Sequence, residues 1–177
     1  MENSLSKTVN GCHVLLKKND ALTEYGDVLI NPMGKTMLFG NTEFNKRVLA
    51  VSSNAMMLEI IKKNRISPFS NMLTLGHASN FTKIYHARIP NYINGRFKEI
   101  NLLSDLISEC MKILKNNMCK MVIIPHMNAG ERIFPNDIFI ETIVDSFINN
   151  SWEGSIITFC IDDDTLYSTY YTKLEKV

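Results

Sequence analysis

The polar residues best placed to do chemistry lie in three loops, each of which follows an apolar segment with the pattern of a buried strand. The first loop contains Asn19 and Asp20, the second covers residues 31–41, and the third covers residues 126–132 and leads to Pro135 at a predicted helix start. A strand-to-helix loop can turn backbone N–H groups toward an anion, and the helix dipole adds to the attraction. The third loop therefore indicates an anion or phosphate site, although an ordinary strand–helix connection has the same pattern.

The chain lacks the sequence motifs of several large enzyme classes. It contains no Walker-type phosphate loop, no G-x-G-x-x-G, no H-E-x-x-H and no G-x-S-x-G. The four histidines, at positions 13, 77, 86 and 126, do not have the spacing of metal ligands, and His86 is predicted to be a hydrogen-bonded structural residue. Asp162–Asp164 precedes a predicted helix, so we interpret it as a cap and a solvated turn. We expect no metal and no cofactor.

Composition limits the class of protein more than its function. The 177 residues carry a formal net charge of +1 and are 45% hydrophobic, which suits one globular domain over residues 1–177, with residues 1–10 as a flexible lead. No apolar run approaches the length of about 20 residues that a membrane span needs. The N-terminal segment lacks the apolar core of a secretory signal. Four cysteines without a C-x-x-C pair indicate buried free thiols, so we expect a cytoplasmic or nuclear protein.

Apolar runs and helical patterns alternate along the chain. The apolar runs predict strands at residues 13–16, 28–30, 71–76, 83–87, 120–124 and 155–161. Helical periodicity predicts helices at residues 44–64, 100–115, 135–147 and 165–176. Leu58 and Ile61 are expected on the buried face of the first helix, and Leu102 on that of the second. This alternation predicts an α/β fold whose mostly parallel sheet is covered on both faces.

Four segments, in the right order and at the right intervals, resemble the macro domain family. HVLLKKNDALTEYGDVLINP is similar to the family's first strand, its Gly-Asp-Ile type turn and the second strand that ends in Asn-Ala-Ala-Asn. MLTLGHASNFTKIYHARIP resembles the Thr-x-Gly-x-x-Leu segment and the strand that follows it, and MVIIPHMNAGERIFP resembles the strand and second phosphate loop. SIITFCIDD falls on the last strand. The resemblance implies a three-layer α/β/α sandwich with a mixed, mostly parallel central sheet.

The resemblance also implies an ADP-ribose site. Asp20 falls on the acidic residue that accepts a hydrogen bond from the adenine amino group, and Asn31 on an asparagine near the distal ribose. Residues 129–132 fall on the loop whose backbone amides hold the phosphates, with Arg132 where the family often has an aromatic residue. The residues that the resemblance places at the ligand are Asp20, Ala21, Asn31, Gly34, Gly40, Asn128, Ala129, Gly130, Glu131, Arg132, Ile161 and Asp162.

Three departures from the family pattern predict a binder rather than an enzyme. Gly34 stands where the family has its second asparagine, so the carboxamide is missing. Phe39-Gly40-Asn41-Thr42 replaces a Gly-Gly-Gly-Val stretch whose backbone approaches the pyrophosphate. Glu131 adds a negative charge beside the phosphates, which Arg132 or Lys35 would have to offset. We expect Glu131 or Phe39 to narrow the cleft.

Three functions follow as alternatives. The first is a non-catalytic binder of ADP-ribose or mono-ADP-ribosylated protein. The second is a module that has lost this ligand and contacts single-stranded nucleic acid or protein, through basic clusters such as Lys17–Lys18, residues 62–65 and the lysines at 112, 115 and 120. The third is a mono-ADP-ribosyl hydrolase with an atypical site, for which Asn31, His126 or Asp20 would be catalytic.

Overall fold

One mixed sheet of seven strands organises the described part of the chain. The computed structural model describes residues 4–34, 42–66, 70–96, 98–129 and 132–177, with the side chains of all these except residues 65 and 66. The strands are β1 (Ser4–Val9), β2 (Cys12–Lys17), β3 (Gly26–Met33), β4 (Met72–Leu75), β5 (Phe81–Arg88), β6 (Met121–Pro125) and β7 (Ile156–Cys160). The helices are α1 (Glu43–Ser52), α2 (Asn54–Ile66), α3 (Glu99–Asn116), α4 (Asn136–Asn149) and α5 (Asp164–Glu175), and a short 3₁₀ turn covers Ala21–Thr23.

The strand order is β1-β2-β7-β6-β3-β5-β4. The five inner strands run parallel, because each connection between them crosses one face of the sheet, whereas β1 and β4 pair antiparallel at the two edges. This arrangement confirms the mixed, mostly parallel sheet that the sequence predicts.

Two apolar clusters hold the three layers together. On one face, Leu29 and Ile84 of the sheet pack with Val48, Met56 and Ile60 from α1 and α2. On the other face, a larger cluster joins the sheet to α3, α4 and α5 through side chains such as Leu103, Leu106, Phe139, Phe147 and Tyr170. Strands that are covered on both faces need apolar residues in succession rather than in alternation, which is the pattern of Val28–Ile30 and Val122–Ile124.

The predicted helix over residues 44–64 is two helices. Ser53 has a φ of 75° and ends α1, and its backbone N–H donates to the Leu49 carbonyl at 3.2 Å. The expected buried face is also wrong, because Leu58 is 68% exposed and Ile61 is exposed, while Met56 and Ile60 are buried instead. The break at Ser53 resets the helical phase, so a single periodicity drawn through both helices selects the wrong stripe.

Two further expectations need correction. Residues 4–9 are not a flexible lead, because they form β1 and pair with β2 along its full length, from Ser4 opposite Lys17 to Val9 opposite Cys12. Leu102 is not in the buried stripe of α3 and is 51% exposed, whereas Leu103, Leu106 and Cys110 are buried as predicted. All four cysteines are buried free thiols, as expected. None of the described helices is long and apolar enough to cross a membrane.

Candidate functional site

The three polar loops follow the carboxyl ends of β2, β3 and β6, so they start along the same edge of the sheet, the one formed by the strand ends. Because β2, β7, β6, β3 and β5 are parallel, their carboxyl ends follow one another along this edge in that order. Strands β3 and β6 are direct neighbours, with Val28 opposite Val122, so the carboxyl ends of these two strands lie side by side. Ligands of open α/β sheets collect in the crevice beyond these strand ends.

Asp20 lies at the β2 end of this edge. It caps the 3₁₀ turn, because its Oδ1 accepts a hydrogen bond from the Leu22 backbone N–H at 3.1 Å, and its carbonyl accepts from the Thr23 hydroxyl at 2.7 Å. This capping role was not visible in the sequence. It fixes the side chain in one orientation, with Oδ2 turned away from the turn and available to another donor.

Arg47 is the donor that Oδ2 meets. The guanidinium comes from the second turn of α1 and pairs with the Asp20 carboxylate, with 28% of the Asp20 side chain and 42% of the Arg47 side chain exposed. A carboxylate oxygen has two lone pairs, so Oδ2 can accept a second hydrogen bond from a ligand while Arg47 holds it. The ion pair joins the β2 end of the site to α1.

The neighbours of Asp20 hold this corner in place. Glu24 accepts hydrogen bonds from Lys17 Nζ at 2.9 Å and from Asn19 Nδ2 at 2.5 Å, and the Ile161 N–H donates to the Lys17 carbonyl at 3.0 Å. This last bond brings the residues after β7 beside those after β2. The expected ligand residues Asp20 and Asp162 therefore share one corner.

The side chains of two residues predicted at this corner point into the protein. Ala21 is buried in the cluster beneath α1, and Ile161 is buried on the opposite face, among the residues that pack with α4 and α5. Only their backbone groups can reach a ligand in the crevice. Asp162 is exposed, and Asp163 accepts a hydrogen bond from the Leu166 N–H at 2.8 Å as the N-cap of α5, which is the capping interpretation made from the sequence.

Asn31 does not face the crevice. Its side chain is fully buried and belongs to a chain of hydrogen bonds that crosses the sheet. Asn45 Nδ2 donates to Asn31 Oδ1 at 2.8 Å and to the Pro32 carbonyl at 2.7 Å, and Asn31 Nδ2 lies 3.0 Å from His86 Nδ1. His86 Nε2 in turn lies 3.0 Å from Thr74 Oγ1. The Asn31 side chain is thus engaged within the fold, and its predicted contact with a ribose and its candidate catalytic role stay predictions.

The direction of these hydrogen bonds determines which ring nitrogen of His86 carries the proton. Since the Asn31 amide can only donate at Nδ2, His86 Nδ1 must accept and Nε2 must carry the proton. Burial lowers the pKa of His86 to about 3, which agrees with a neutral ring. His86 is thus the structural residue predicted from the sequence.

The loop between β3 and α1, residues 34–42, is called the first phosphate loop because the resemblance places it at the pyrophosphate. It is described only at its two ends. Gly34 is buried directly after β3, and the Thr42 side chain caps α1 by accepting a hydrogen bond from the Asn45 N–H at 3.1 Å. Gly40, and with it Lys35, Phe39 and Asn41, lies outside the described residues. Gly34 brings no side chain to the site, as its replacement of an asparagine implies.

Asn128 closes the second phosphate loop. Its Oδ1 accepts from the Phe134 N–H at 3.0 Å, and its Nδ2 donates to the Phe134 carbonyl at 2.8 Å and to Asn136 Oδ1 at 2.9 Å. One side chain therefore links the start of the loop to its end and to the first turn of α4. Asn128 was predicted at the ligand, but its amide is used within the loop.

The last part of this loop, from Arg132 to Phe134, contacts the segment after β5. The Tyr92 N–H donates to the Arg132 carbonyl at 3.0 Å, and the rings of Tyr92 and Phe134 are 5.0 Å apart. Ala129 is half-buried and the Arg132 side chain is exposed. Gly130 and Glu131 lie outside the described residues, so the predicted narrowing of the cleft by Glu131 or Phe39 stays a prediction.

His126 directly follows β6, and its side chain points toward α4 and α5. Its ring meets Phe139 and Tyr170 edge to face, and Nδ1 lies 3.3 Å from the Tyr170 hydroxyl. Burial lowers the pKa of His126 to about 4, against the opposing effect of Asp163 and Asp162. A neutral imidazole in an aromatic pocket is a packed residue rather than a base directed at the crevice.

We expect acid to destabilise the fold through His86 and His126. Both have lower pKa values folded than unfolded, so the unfolded chain binds more protons and the free energy of unfolding rises with pH. This contribution is complete above the ordinary pKa of about 6.5 and decreases as the pH falls below it. The expected loss between pH 7 and pH 5 is about 1 to 2 kcal/mol for each histidine.

Urea unfolding at pH 7, 6 and 5 measures this effect. His126→Phe keeps the aromatic packing and should remove the share of His126, which gives a shallower dependence. A free energy of unfolding that stays constant between pH 7 and pH 5 would contradict the assignment.

Two residues that position the site, Arg47 and Asn45, could not be identified from the sequence. Arg47 contacts Asp20 across 27 positions of the chain, and no local pattern signals this pair. Asn45 leaves a signal in retrospect, because it is a polar residue on the same helical face as Val48 and Ser52, which are also buried. The described residues contain no group of three or more His, Cys, Asp or Glu side chains arranged to hold a metal ion.

Solved structures with this fold include ligand complexes. The macrodomain of Oceanobacillus iheyensis with ADP superposes with a TM-score of 0.86 over 98% of this chain and 95% of that chain, at 15% identity. The Trypanosoma brucei macrodomain in complex with ADP-ribose gives a TM-score of 0.77 over 91% of this chain and 68% of that chain, at 13% identity. At these identities the likeness establishes the fold.

Sequence comparison leads to the same family. A human protein, the mono-ADP-ribosyltransferase PARP14, is 22% identical over 151 residues, which are 84% of this chain and 8% of that protein. The chain thus spans a small part of this relative. The family model for the macro domain matches residues 47–143, more than half of the chain. This chain therefore belongs to the macro domain family.

Proposed function

We propose that this chain binds ADP-ribose, free or attached to a protein, and does not cleave it. The observation that carries this proposal is the position of Asp20. Its carboxylate lies at the β2 end of the same sheet edge from which the two phosphate loops leave, with one oxygen open to a further donor. An exocyclic amine offers such donors, and a carboxylate accepts them selectively. Relatives with this fold have been solved with ADP and with ADP-ribose.

The proposal that the chain does not cleave ADP-ribose rests on where the polar side chains point. Cleavage of a ribosyl bond by water requires a group that positions or deprotonates the water. Asn31 is buried in the sheet, His126 is neutral and packed against Tyr170, and Gly34 has no side chain. Asp20 is held by Leu22 and Arg47 at the opposite end of the site from the distal ribose. These placements favour binding.

Three lysines of the basic clusters are already paired with carboxylates. Lys17 pairs with Glu24 at 2.9 Å, Lys63 pairs with Glu59 at 2.8 Å, and Lys18 pairs with Asp164. A phosphate-binding track needs cations that are not already neutralised by neighbouring carboxylates.

Calorimetric titration with ADP-ribose tests the proposal, with ADP and AMP as shorter probes. We expect saturable heat with ADP-ribose and progressively weaker binding of ADP and AMP, because each lacks groups that the second loop and the β3 end would contact. A label-release assay on a mono-ADP-ribosylated protein should show no turnover. No heat with ADP-ribose, or release of the label by the wild-type chain, would each refute a part of the proposal.

A further inference from the structure

A cavity opens at the carboxyl end of β5. It has a volume of about 620 Å³ and lies between the carboxyl end of β5, the residues that precede β4, and the outer face of α3. The residues that the inference uses are Asn71, Arg88, Glu99, Leu102, Asp105 and Glu109. None of them belongs to the ADP-ribose site described above.

The order of the strand ends places this cavity beyond the distal ribose. On the proposed function, on which this inference rests, adenine lies at the end of β2, the phosphates near β6 and the distal ribose near β3. Neighbouring strands are about 4.8 Å apart, so the three steps from β2 to β3 span roughly 14 Å. The next strand along the edge is β5. A group attached to the distal ribose therefore leaves the site toward the cavity at the β5 end.

The walls of the cavity are tied together by hydrogen bonds. The Arg88 N–H donates to Asn71 Oδ1 at 2.8 Å, and Asn71 Nδ2 donates to Glu109 Oε2 at 3.3 Å. At the other end, the Ile93 N–H donates to Glu99 Oε1 at 2.6 Å, and Glu99 is only 2% exposed. Contacts of this kind join the end of β5 to α3, so the cavity is part of the fold.

The walls of the cavity carry acidic side chains, and its floor is apolar. Among the described lining residues, two exposed carboxylates, of Asp105 and Glu109, and one guanidinium, that of Arg88, can meet a ligand, which leaves one net negative charge. Glu99 is buried and already accepts from the Ile93 N–H. Leu102, Asp105 and Glu109 follow one another at steps of three and four residues, so they share one face of α3. Leu102 is half-exposed and offers the apolar stem of a long side chain a contact.

We propose that this cavity receives the modified segment of a mono-ADP-ribosylated protein, and that it selects segments with lysine or arginine beside the modified residue. A basic side chain can lay its methylene groups on Leu102 and direct its charge at Asp105 and Glu109. An acidic segment would place like charges together, at a cost in affinity. The ADP-ribose site would then recognise the modification and the cavity its sequence context.

Titration with defined peptides tests this assignment. The probes are two synthetic peptides, each with one ADP-ribosylated serine, flanked by lysines in one and by glutamates in the other, together with their unmodified forms and free ADP-ribose. We expect the wild-type chain to bind the lysine-flanked modified peptide about threefold to tenfold more tightly than the glutamate-flanked one at low salt. The double variant Asp105→Asn/Glu109→Gln should lose this preference and keep its affinity for free ADP-ribose within about twofold. Both residues are exposed, so the variant should fold.

A matched control removes the same charge elsewhere. Glu153→Gln/Glu175→Gln replaces two exposed carboxylates outside the cavity and should retain the preference. Equal affinity of the wild-type chain for the two modified peptides, or a preference that survives Asp105→Asn/Glu109→Gln, overturns the assignment while binding of free ADP-ribose leaves the proposed function intact. Equal binding of modified and unmodified peptides also overturns it. If neither ADP-ribose nor a modified peptide binds, the proposed function and this inference both fail.

Discussion

Replacing Asn45 by alanine should lower the free energy of unfolding by about 2 kcal/mol. Each of the two buried acceptors left unpaired costs about 1 to 3 kcal/mol, and removal of the buried, unpaired Asn45 Oδ1 offsets part of this loss. The Asn45 amide donates to Asn31 Oδ1 and to the Pro32 carbonyl, and all three groups are buried. The variant leaves both acceptors without this donor and adds a small void. Urea unfolding followed by circular dichroism measures the change.

The neighbouring substitution Lys46→Ala is the control for Asn45→Ala. Lys46 lies on the exposed side of the same helical turn and forms an ion pair with Glu43 at the surface, so its loss should cost less than about 0.5 kcal/mol. If Asn45→Ala were as mild as Lys46→Ala, the hydrogen-bond chain from Asn45 to Thr74 would not be a stabilising element.

Replacing Asp20 by asparagine should weaken ADP-ribose binding by about tenfold to a hundredfold, the equivalent of one charge-assisted hydrogen bond of about 1.5 to 3 kcal/mol. Asparagine keeps an oxygen that can accept from the Leu22 N–H, so the cap of the 3₁₀ turn survives. Its amide group, in contrast, would point a donor at Arg47 and at the adenine amine. Calorimetric titration at one pH and ionic strength gives the affinity ratio.

Comparison with Asp20→Ala separates binding from stability. Alanine removes both the cap and the acceptor, so it should lower the free energy of unfolding by about 1 kcal/mol and weaken binding at least as much as asparagine. Glu153→Gln, at the opposite edge of the sheet, should change neither quantity. Unaltered affinity in Asp20→Asn would remove the adenine contact from the proposed function.

The fold was largely predictable because most elements carry their pattern locally. The runs at Val28–Ile30 and Val122–Ile124 are typical of strands covered on both faces, and the spacing of Leu103, Leu106, Ile107 and Cys110 predicts one side of α3. β1 was missed, because an edge strand with one polar face has no such run. The break at Ser53 was missed since a serine at a φ of 75° is not encoded by composition.

The sequence predicts which residues the fold brings together better than it predicts the contacts of their side chains. The order of the parallel strands brings Asp20, Gly34 and the loop after β6 to one edge, as the resemblance implies. The direction of a side chain is a tertiary property, so Asn31 turned out to be buried and Asn128 to be bonded within its own loop. Gly76 lies in the segment that resembles the family's Thr-x-Gly-x-x-Leu, and the structure gives a physical reason for this glycine. A Cβ there would lie 1.7 Å from the Phe81 carbonyl oxygen.

The bonds of Asn128 bear on how binding would be driven. Because this side chain already joins both ends of the loop, and the Tyr92 N–H holds its last part, the ends of the loop need no ordering when a ligand arrives. Preorganisation of this kind reduces the conformational entropy that association costs. If the chain binds ADP-ribose as proposed, the ends of this loop that Asn128 anchors should contribute little to the entropic penalty of coupled folding.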